Sequence, residues 1–499
     1  LRAKVGVEEK PYTLILPSEE IQQRVDAWTA GKFGADLRTP DTIERNQMID
    51  EIKYAMHDEF SQTLVSDEEA GITAKMSDEE KKTTKTEYYD EHFRGEYNDA
   101  FDLAVKRDVR KNIIESGVRP DGRKLDEVRP LSSQVGLLPR AHGSALFTRG
   151  VTQALNIVTL APLSYAQLVD TMEVTDGKRR YMHHYNAPGY TVGEVSRLGS
   201  PGRREVGHGY LAERALMPVL PSEEDFPYAI RSVTEIMSQN GSTSMAATCS
   251  SCLALMDAGV PLKRPVSGIA MGLMMDGDKP YVLTDLMDAE DFAGDMDFKV
   301  TGTTEGITAL QMDMKVHGLP ITVLAEAIAK AHEGRMFIMK HMLSVLAEPR
   351  KQLSPYAPRI EKLKVKPEKI GAIIGKGGEM INKITAETGA EINIEEDGLV
   401  TIAASNNESI EKALNWVKSL VEEPEVGKIY TGKVVTIKDF GAFVNIMPGI
   451  DGMLHISQIS DKRLDKVTDV LSVGQDVKVR LDAIDEKGRL SLSMRGVEQ

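Results

Sequence analysis

The chain has 499 residues, which is more than one hydrophobic core normally supports, so we expect three or four domains. Hydrophobic residues make up 41% and charged residues 27% of the chain, as in ordinary soluble globular proteins, and no apolar run approaches the ~18 residues that a membrane span requires. The formal net charge of −15 excludes a uniformly basic surface, so any phosphate-binding site must be a local cluster of Lys and Arg.

Helical periodicity runs from about residue 18 to residue 112, with acidic breaks such as residues 66–69 between the helices. This pattern predicts an all-helical linker domain in which no chemistry is apparent. A turn-rich stretch at 117–123 ends it, and strand periodicity then appears at 143–148 and 153–160.

Residues 117–350 alternate strands with helices, which predicts an α/β or α+β domain whose last helix covers about 324–346. Prolines between 349 and 358 mark a linker. Residues 360–422 have the pattern strand, helix, turn, helix, strand, strand, helix, and residues 426–495 hold short alternating strands that predict a small barrel. The predicted fold class is multidomain α/β.

The two cysteines, Cys249 and Cys252, have a C-x-x-C spacing. A redox dithiol and half of a zinc site are alternatives to a structural role, but the sequence offers no second cysteine pair and no nearby histidine pair. Both lie among small and apolar residues of a predicted helix, so we interpret them as core thiols of a reduced, cytoplasmic protein.

The stretch Asn-Gly-Ser-Thr-Ser at 240–244 precedes a long apolar helix that is predicted to end at Ala258. The hydroxyl groups of Ser242, Thr243 and Ser244 would suit a phosphate group, because the free N–H groups at the start of a helix also attract anions. Ordinary helix capping by these residues is the alternative.

A second candidate anion site is the start of the helix that follows Pro201 and Gly202. Arg204 and His208 are four residues apart and share a helix face, and Arg203 lies beside them. Paired guanidinium groups suit forked binding of phosphate oxygens, whereas a solvated basic turn is the alternative.

The segment 295–300 alternates polar and apolar residues, so Asp295, Asp297 and Lys299 are predicted to project from one face of a strand. Together with Asp291, these carboxylates and the Lys suit a hydrated Mg²⁺ or Mn²⁺ beside a transferring phosphoryl group. The alternative is a charged surface strand on which Lys299 merely pairs with Asp297, but the strongly apolar flanking residues disfavour it.

Two motifs near the C-terminus are typical of RNA binding. The turn formed by Gly375, Lys376, Gly377 and Gly378 would let a nucleic-acid backbone approach main-chain N–H groups closely. Farther along, the aromatic rings of Phe440 and Phe443 on a glycine-bent strand, with His455 downstream, would offer faces for base stacking on a barrel.

Five motifs, in this order, resemble the polynucleotide phosphorylase family: RPDGR (119–123), HGSALFTRG (142–150), GRREVGHG (202–209), NGSTS (240–244) and GDMDFK (294–299). The resemblance covers almost the whole chain. It implies a remnant of the first core plus an all-helical linker domain at 1–116, and a second RNase PH domain, similar to domain two of ribosomal protein S-five, at 117–350. It further implies a KH domain at 351–424 and an S-one RNA-binding barrel with an OB fold at 425–499.

In this family, inorganic phosphate attacks the terminal phosphodiester of single-stranded RNA from the 3′ end and releases nucleoside 5′-diphosphates, a reversible reaction that serves mRNA turnover. The resemblance implies the same activity, a nucleotidyltransferase dependent on Mg²⁺ or Mn²⁺. The implied substrates are RNA, phosphate and nucleoside diphosphates. The implied protein partners are two further copies of the chain in a homotrimer and components of an RNA-degradation complex, and no membrane association is implied.

The resemblance also implies roles for the candidate residues of the central domain. The attacking phosphate would be held by Ser242, Thr243 and Ser244, with Thr243 at a position where the family often has serine. Asp291 and Asp297 would bind the metal, and Asp297 would also help to protonate the leaving oxygen. The residues that would position or neutralise phosphate groups are Arg203, Arg204, His208 and Lys299.

In the C-terminal modules the resemblance assigns RNA contacts. The glycine turn at 375–378 would hold the backbone, and the isoleucines at 373, 374 and 381 would line a base groove unless they are core residues. Phe440, Phe443 and His455 would stack bases, with Asp485 and Arg489 flanking them, and the alternative for Phe443 is a place in the barrel core.

The family carries two RNase PH domains per chain, whereas the RPDGR and HGSALFTRG motifs occur once here, so we expect this chain to lack the first domain. A non-catalytic RNA-binding or oligomerising fragment is therefore the alternative function. A hydrolytic metal nuclease is the third hypothesis, in which the phosphate site would have no use.

Overall fold

The computed structural model describes residues 2–497 apart from 7–10, 12, 35–36, 40–41, 173–176, 198, 405, 448, 461–463, 465 and 486–487. The chain divides into two compact units, Leu1–Pro355 and Tyr356–Gln499. Among the described residues, no helix has both the length and the hydropathy to cross a membrane.

The first unit begins with helices whose ends are set by local capping. These helices are α1 (Arg2–Val5), α2 (Glu19–Thr29), α3 (Thr42–Leu64), α4 (Asp78–His92) and α5 (Arg94–Ser116). Ser77 and Glu80 form a capping box at the start of α4, and Gly117 ends α5 in the left-handed region at φ 67°. Buried rings such as Phe60 and Phe101 form the core between the helices. The predicted helical segment is confirmed.

A mainly antiparallel sheet and two helices follow. The strands are β1 (Leu131–Val135), β2 (Gly143–Arg149), β3 (Thr152–Pro162), β4 (Gln167–Val169), β5 (Gly177–Arg179), β6 (Tyr181–Asn186) and β7 (Tyr228–Ser238), and the helices are α6 (Arg203–Leu216) and α7 (Thr243–Asp257). The sheet has the order β1-β2-β3-β7-β6, while β4 and β5 pair separately. Every residue of α7 is buried, because this helix packs on β2, β3 and β7 as well as on α6.

A second, antiparallel sheet completes the first unit. Its strands are β8 (Ser267–Asp276), β9 (Lys279–Thr284), β10 (Met296–Gly302) and β11 (Ile307–Met314), accompanied by α8 (Asp288–Ala293) and α9 (Ile321–Val345). The order is β11-β10-β8-β9, and the register places Asp297 opposite Asp313 and Lys299 opposite Gln311. As the alternating pattern predicts, the apolar residues of β10 enter the core.

The second unit opens with a three-stranded antiparallel sheet covered by helices. The elements are β12 (Arg359–Lys364), α10 (Ile370–Ile374), α11 (Glu379–Thr388), β13 (Glu391–Ile394), β14 (Leu399–Ala404) and α12 (Asn407–Val421), with the sheet order β12-β14-β13. This confirms the predicted order of strands and helices around the glycine turn.

The remaining strands close into a barrel. They are β15 (Ile429–Lys438), β16 (Gly441–Met447), β17 (Ile450–His455), β18 (Asp476–Ile484) and β19 (Leu490–Ser493), in the order β15-β16-β17-β19-β18. Alternating apolar residues such as Val444, Leu454 and Val479 fill the interior. The small barrel and the multidomain α/β fold class are thus confirmed, whereas the domain boundaries after residues 116, 350 and 424 stay predictions.

Candidate active site

A polar cavity of about 500 Å³ lies in the first unit, where the starts of α6 and α7 meet α8, β10 and β11. The predicted site residues that line it are Arg203, Arg204, His208, Ser242, Thr243, Asp291, Asp297 and Lys299. Among the candidates of the central domain, Ser244 and Asp295 do not line it. The hydroxyl of Ser244 is buried and has no hydrogen-bond partner among the described residues. The fold therefore brings together candidates that are far apart in the sequence.

The loop before α7 is left-handed at two successive residues, Gly241 (φ 74°) and Ser242 (φ 59°). A Cβ at Gly241 would lie 2.8 Å from the backbone nitrogen of Asp288, so this close approach requires glycine. Ser242 forms no capping hydrogen bond, because its hydroxyl donates instead to the carbonyl oxygen of Leu286 at 2.8 Å. The first N–H groups of α7 thus have no side-chain cap at the positive end of the helix dipole, which favours an anion there.

Thr243 is joined to two other side chains at the cavity wall. The hydroxyl of Tyr185 donates to Thr243 Oγ1 at 2.7 Å, and His208 Nδ1 lies 3.2 Å from the same oxygen. Burial, together with the charges of Lys299 and Arg204, lowers the pKa of His208 to about 4, so the imidazole is neutral near pH 7. Burial also raises the pKa of Tyr185 to about 12, so its hydroxyl keeps its proton.

The paired arginines lie at the start of α6, and both side chains are exposed. Arg204 and His208 line the same cavity, as their spacing of four residues predicts. Arg204 also interacts with Asp288 on the opposite side of the cavity. Burial raises the pKa of Asp288, and the positive charge of Arg204 counteracts part of this shift. The arginines therefore face both the loop before α7 (residues 240–242, the α7 loop) and the acidic segment that leads into α8 (residues 285–291).

The carboxylates of the cavity differ in their surroundings. Lys299 Nζ donates to Asp297 Oδ2 and, at 2.9 Å, to Gln311 Oε1. Asp297 Oδ1 is buried and has no partner among the described residues. Burial raises the pKa of Asp297 although Lys299 opposes the shift. Asp291 Oδ1 lies 3.3 Å from Lys315 Nζ and is far more exposed.

The residues present fit a hydrated divalent cation. The part of the chain that the structure describes contains no group of three or more His, Cys, Asp or Glu side chains arranged to hold a metal ion. Mg²⁺, however, is commonly held by one or two carboxylates together with water and substrate phosphates. The carboxylates of Asp291 and Asp297 at the cavity, with the unpartnered Oδ1 of Asp297, are consistent with that mode.

Asp295 departs from the predicted arrangement. Strand β10 begins one residue after it, and its carboxylate accepts hydrogen bonds from Arg110 at 2.9 and 3.0 Å. It also accepts the N–H of Met275 at 2.7 Å. Asp295 therefore anchors α5 to the second sheet instead of facing the polar cavity.

Several residues at the cavity were missed by sequence reasoning. Asp288 lies three residues before Asp291, and this helical spacing was a usable signal. Gln311 and Asp313 reach the cavity because β11 pairs with β10, and the pairing register cannot be read from the sequence. Tyr185 lies at one of the alternating buried positions of β6, where the sequence suggests an ordinary core residue. Its hydrogen bond to Thr243 at the start of α7 therefore cannot be read from the sequence.

In the second unit, the glycine turn is left-handed at Gly375 (φ 72°), Gly377 (φ 64°) and Gly378 (φ 85°). Lys376 and Gly377 are exposed, and a Cβ on Gly377 would meet nothing within 4 Å. Of the three candidate groove isoleucines, the one at position 373 is fully buried in the core, so its assignment to the groove is wrong. Those at 374 and 381 remain partly or largely exposed.

On the barrel, pairing of β16 with β17 places Gly441 opposite His455 and Phe443 opposite Met453. Phe443 and His455 therefore share the outer face, and Phe443 is not a member of the barrel core. Phe440 precedes β16 and is 49% exposed.

Asp485 and Arg489 pair with each other between β18 and β19, where Arg489 Nε donates to Asp485 Oδ2 at 2.8 Å.

Cys249 and Cys252 are fully buried free thiols, and burial raises their pKa values to about 11 and about 12. The interpretation of the cysteines as core thiols is confirmed.

Three family models match parts of the chain. Residues 127–261 match the 3′ exoribonuclease family, domain 1, residues 360–419 match the KH domain and residues 423–495 match the S1 RNA binding domain. The polar cavity includes residues both inside the first match and beyond its end.

Curated relatives match most of the chain. A polyribonucleotide nucleotidyltransferase of Natranaerobius thermophilus is 45% identical over 99% of this chain and 66% of its own length. One of Halothermothrix orenii is 47% identical over 99% of this chain and 68% of its own length. One of Synechococcus elongatus is 54% identical over 80% of this chain and 56% of its own length. The chain spans about two thirds of the length of the first two relatives. Because this similarity extends through the central domain and both C-terminal modules, the chain belongs to the polyribonucleotide nucleotidyltransferase family.

Proposed function

We propose that the chain carries the catalytic centre of a phosphorolytic 3′-to-5′ exoribonuclease, which degrades RNA with inorganic phosphate and runs in reverse as an RNA polymerase using nucleoside diphosphates. The observation that supports this most strongly is the composition of the polar cavity. It combines an uncapped helix start, hydroxyl groups, two arginines and four carboxylates with a Lys. A hydrolytic nuclease would have no need for the anion-binding part.

In this reaction an oxygen of inorganic phosphate forms a bond to the terminal phosphorus of RNA, and the bond from that phosphorus to the 3′ oxygen of the preceding nucleotide breaks. The N–H groups at the start of α7, together with Ser242 and Thr243, would hold the attacking phosphate. Arg203 and Arg204 would bind the terminal RNA phosphate. Ser244 lies in the first turn of α7 but does not line the polar cavity, so its hydroxyl would support the phosphate site without contacting phosphate.

Proton transfer to the leaving 3′ oxygen requires a group close to the scissile bond. Asp297 is our candidate for assisting this transfer, because its buried carboxyl group lies at the polar cavity. Lys299 beside it would neutralise charge on the phosphates in the transition state. His208 would act as a neutral hydrogen-bonding group at the phosphate.

Asp291 and Asp297 would hold a divalent cation, for which we propose Mg²⁺ or Mn²⁺. When bound, such a cation polarises phosphoryl oxygens and stabilises negative charge in the transition state. The unpartnered Oδ1 of Asp297 is the atom best suited to accept it.

The C-terminal modules would capture the substrate. We assign the RNA backbone to the turn 375–378 and the bases to Phe440, Phe443 and His455, with Asp485 and Arg489 beside them. Tethered binding sites raise the local concentration of the 3′ end at the polar cavity. We further propose the domain boundaries 1–116, 117–350, 351–424 and 425–499, a homotrimeric assembly, a cytoplasmic location and partners in RNA degradation.

The proposal is tested with a labelled single-stranded oligoribonucleotide and a divalent cation, with and without inorganic phosphate. Release of nucleoside diphosphate only in the presence of phosphate is the expected result. RNA binding without any product would instead favour a non-catalytic RNA-binding fragment. Release of nucleoside monophosphate without phosphate would show a hydrolytic nuclease.

A further inference from the structure

Two described residues other than glycine have a positive φ angle, Ser242 at 59° and Asp285 at 63°. This conformation is unfavourable for residues with a Cβ, and it persists where the surrounding structure holds the backbone firmly. Both residues contact one side chain. Arg149 Nη2 donates to the carbonyl oxygen of Ser242 at 2.8 Å, and Arg149 Nε lies 3.0 Å from Asp285 Oδ1.

The carboxylate of Asp285 is fully buried and orients a second arginine as well. Arg129 donates from Nε to Oδ2 at 2.8 Å and from Nη2 to Oδ1 at 2.7 Å. The remaining nitrogen, Nη1 of Arg129, donates to the carbonyl oxygen of Asn240 at 2.7 Å. Arg123 Nη1 also lies 3.4 Å from Asp285 Oδ2, so three guanidinium groups surround this carboxylate. Two of them, those of Arg129 and Arg149, each donate to a carbonyl group of the loop before α7.

The backbone of Asp285 begins the acidic segment on the other side of the polar cavity. The carbonyl oxygen of the next residue, Leu286, accepts hydrogen bonds from the hydroxyl of Ser242 at 2.8 Å and from Nη2 of Arg129 at 3.3 Å. The cavity-lining residues Asp288 and Asp291 follow on α8. Asp285 thus joins the α7 loop through its side chain and the acidic segment through its backbone.

We propose that Asp285 is a positioning residue for the reaction, which fixes the α7 loop relative to the acidic segment through Arg129 and Arg149. This inference rests on the proposed phosphate-binding role of the loop. Asp285 does not line the polar cavity, so it acts through the two arginines without contacting substrate. Burial, the hydrogen-bonded fork between Arg129 and Asp285, and the ion pair of Arg149 with Asp285 at 3.0 Å give the link a defined geometry, which a single flexible Lys could not provide.

The main test is Asp285→Asn in the full chain, with affinity for inorganic phosphate measured by isothermal titration calorimetry. Asn also tolerates the left-handed region, so the backbone conformation is retained. Loss of the negative charge leaves Arg129 and Arg149 buried without their counter-ion, and we expect them to shift away from the loop carbonyls. The dissociation constant for phosphate should rise about tenfold, equivalent to about 1.4 kcal/mol.

Arg149→Lys is the second variant and keeps the buried positive charge, so it carries the test if Asp285→Asn does not fold. Lys cannot contact both Asp285 and the carbonyl of Ser242 as a planar fork does, and a similar rise in the dissociation constant is expected. The matched control is Asp257→Asn. Asp257 is a buried residue at the other end of α7. Its carboxylate accepts hydrogen bonds from Arg350 Nε at 2.7 Å and from the backbone N–H of Ser144 at 2.9 Å.

The control should lower thermal stability but leave phosphate affinity within about twofold of the unmodified chain, since Asp257 does not line the polar cavity. RNA affinity should not change in any variant. If Asp285→Asn or Arg149→Lys folds and binds phosphate within twofold of the unmodified chain, the positioning role is wrong while the proposed function stands. If the unmodified chain itself fails to bind phosphate, the proposed function is wrong and the positioning role falls with it.

Discussion

The hydroxyl of Tyr185 offers a direct test of how Thr243 is oriented. It donates to Thr243 Oγ1 at 2.7 Å and so occupies one lone pair of that oxygen. The hydrogen of Thr243 is then directed toward another acceptor, either His208 Nδ1 at 3.2 Å or an oxygen of bound phosphate. Tyr185→Phe removes this constraint and keeps the ring that fills the space beside α7.

The expected magnitude follows from the contacts that remain. Thr243 Oγ1 and His208 Nδ1 can still bond to each other, so the substitution leaves neither atom unpaired. The Tyr185 hydroxyl also lies 3.3 Å from His208 Nδ1, but this contact is longer than an ordinary hydrogen bond and adds little. Loss of one neutral hydrogen bond between buried groups costs about 1 kcal/mol. If the Thr243 hydroxyl contributes to phosphate binding by a similar amount, kcat/KM for phosphate should fall about fivefold.

The assay is phosphorolysis of a single-stranded oligoribonucleotide at varied phosphate concentration, together with RNA affinity and thermal unfolding. Tyr181→Phe is the matched control, because Tyr181 lies on the same face of β6 and is equally buried, but its hydroxyl has no hydrogen-bond partner among the described residues. It should leave kcat/KM for phosphate unchanged. An equal effect of both substitutions, or a change of less than about twofold for Tyr185→Phe, would refute the orientation of Thr243 by Tyr185.

Four further outcomes are expected. Asp297→Asn should abolish phosphorolysis while RNA affinity, measured by fluorescence anisotropy, persists through the C-terminal modules; unchanged turnover would contradict the site assignment. Gly377→Asp should weaken RNA binding without unfolding the domain, because the position is open and Asp tolerates φ 64°, while its charge repels phosphate. Gly241→Ala should lower the free energy of unfolding by roughly 2 kcal/mol or more, measured by urea titration, since φ is 74° and the added Cβ would lie 2.8 Å from backbone. Burial lowers the pKa of His208 to about 4 and that of His183 to about 3 from their ordinary value of 6.5, so the unfolded chain binds more protons below pH 6.5. Stability should therefore be full above pH 6.5 and fall as the pH approaches 4, with a shallower fall in His208→Gln, as thermal unfolding at a series of pH values would show.

Local patterns were sufficient for the elements that carry the site. The small hydroxyl residues before α7, the four-residue spacing of Arg204 and His208, and the alternation around Asp297 each depend on neighbours within a few residues. The glycine turn of the second unit was predictable for the same reason, because the left-handed region is accessible mainly to glycine. These signals are local, so a sequence contains them without knowledge of the tertiary fold.

The burial of individual residues was harder to predict. Asp295 and Asp297 have the same position in the alternating pattern, yet Arg110 on α5 binds the first and leaves the second to the polar cavity. Likewise, the isoleucine at 373 enters the core whereas its neighbour at 374 is 37% exposed. A distant element decides each case, and periodicity within a segment carries no information about it.

The sequence by itself determined which residue types stand at the start of each helix and along each strand, and the motifs that indicate phosphate and RNA binding. Only the tertiary structure decided that these segments share one cavity, that the hydroxyl of Tyr185 donates to Thr243, and that the buried carboxylate of Asp285 contacts two arginines that donate to the α7 loop. The physical reason is that a hydrogen bond or ion pair between distant segments depends on strand register and helix packing, which the whole core fixes together.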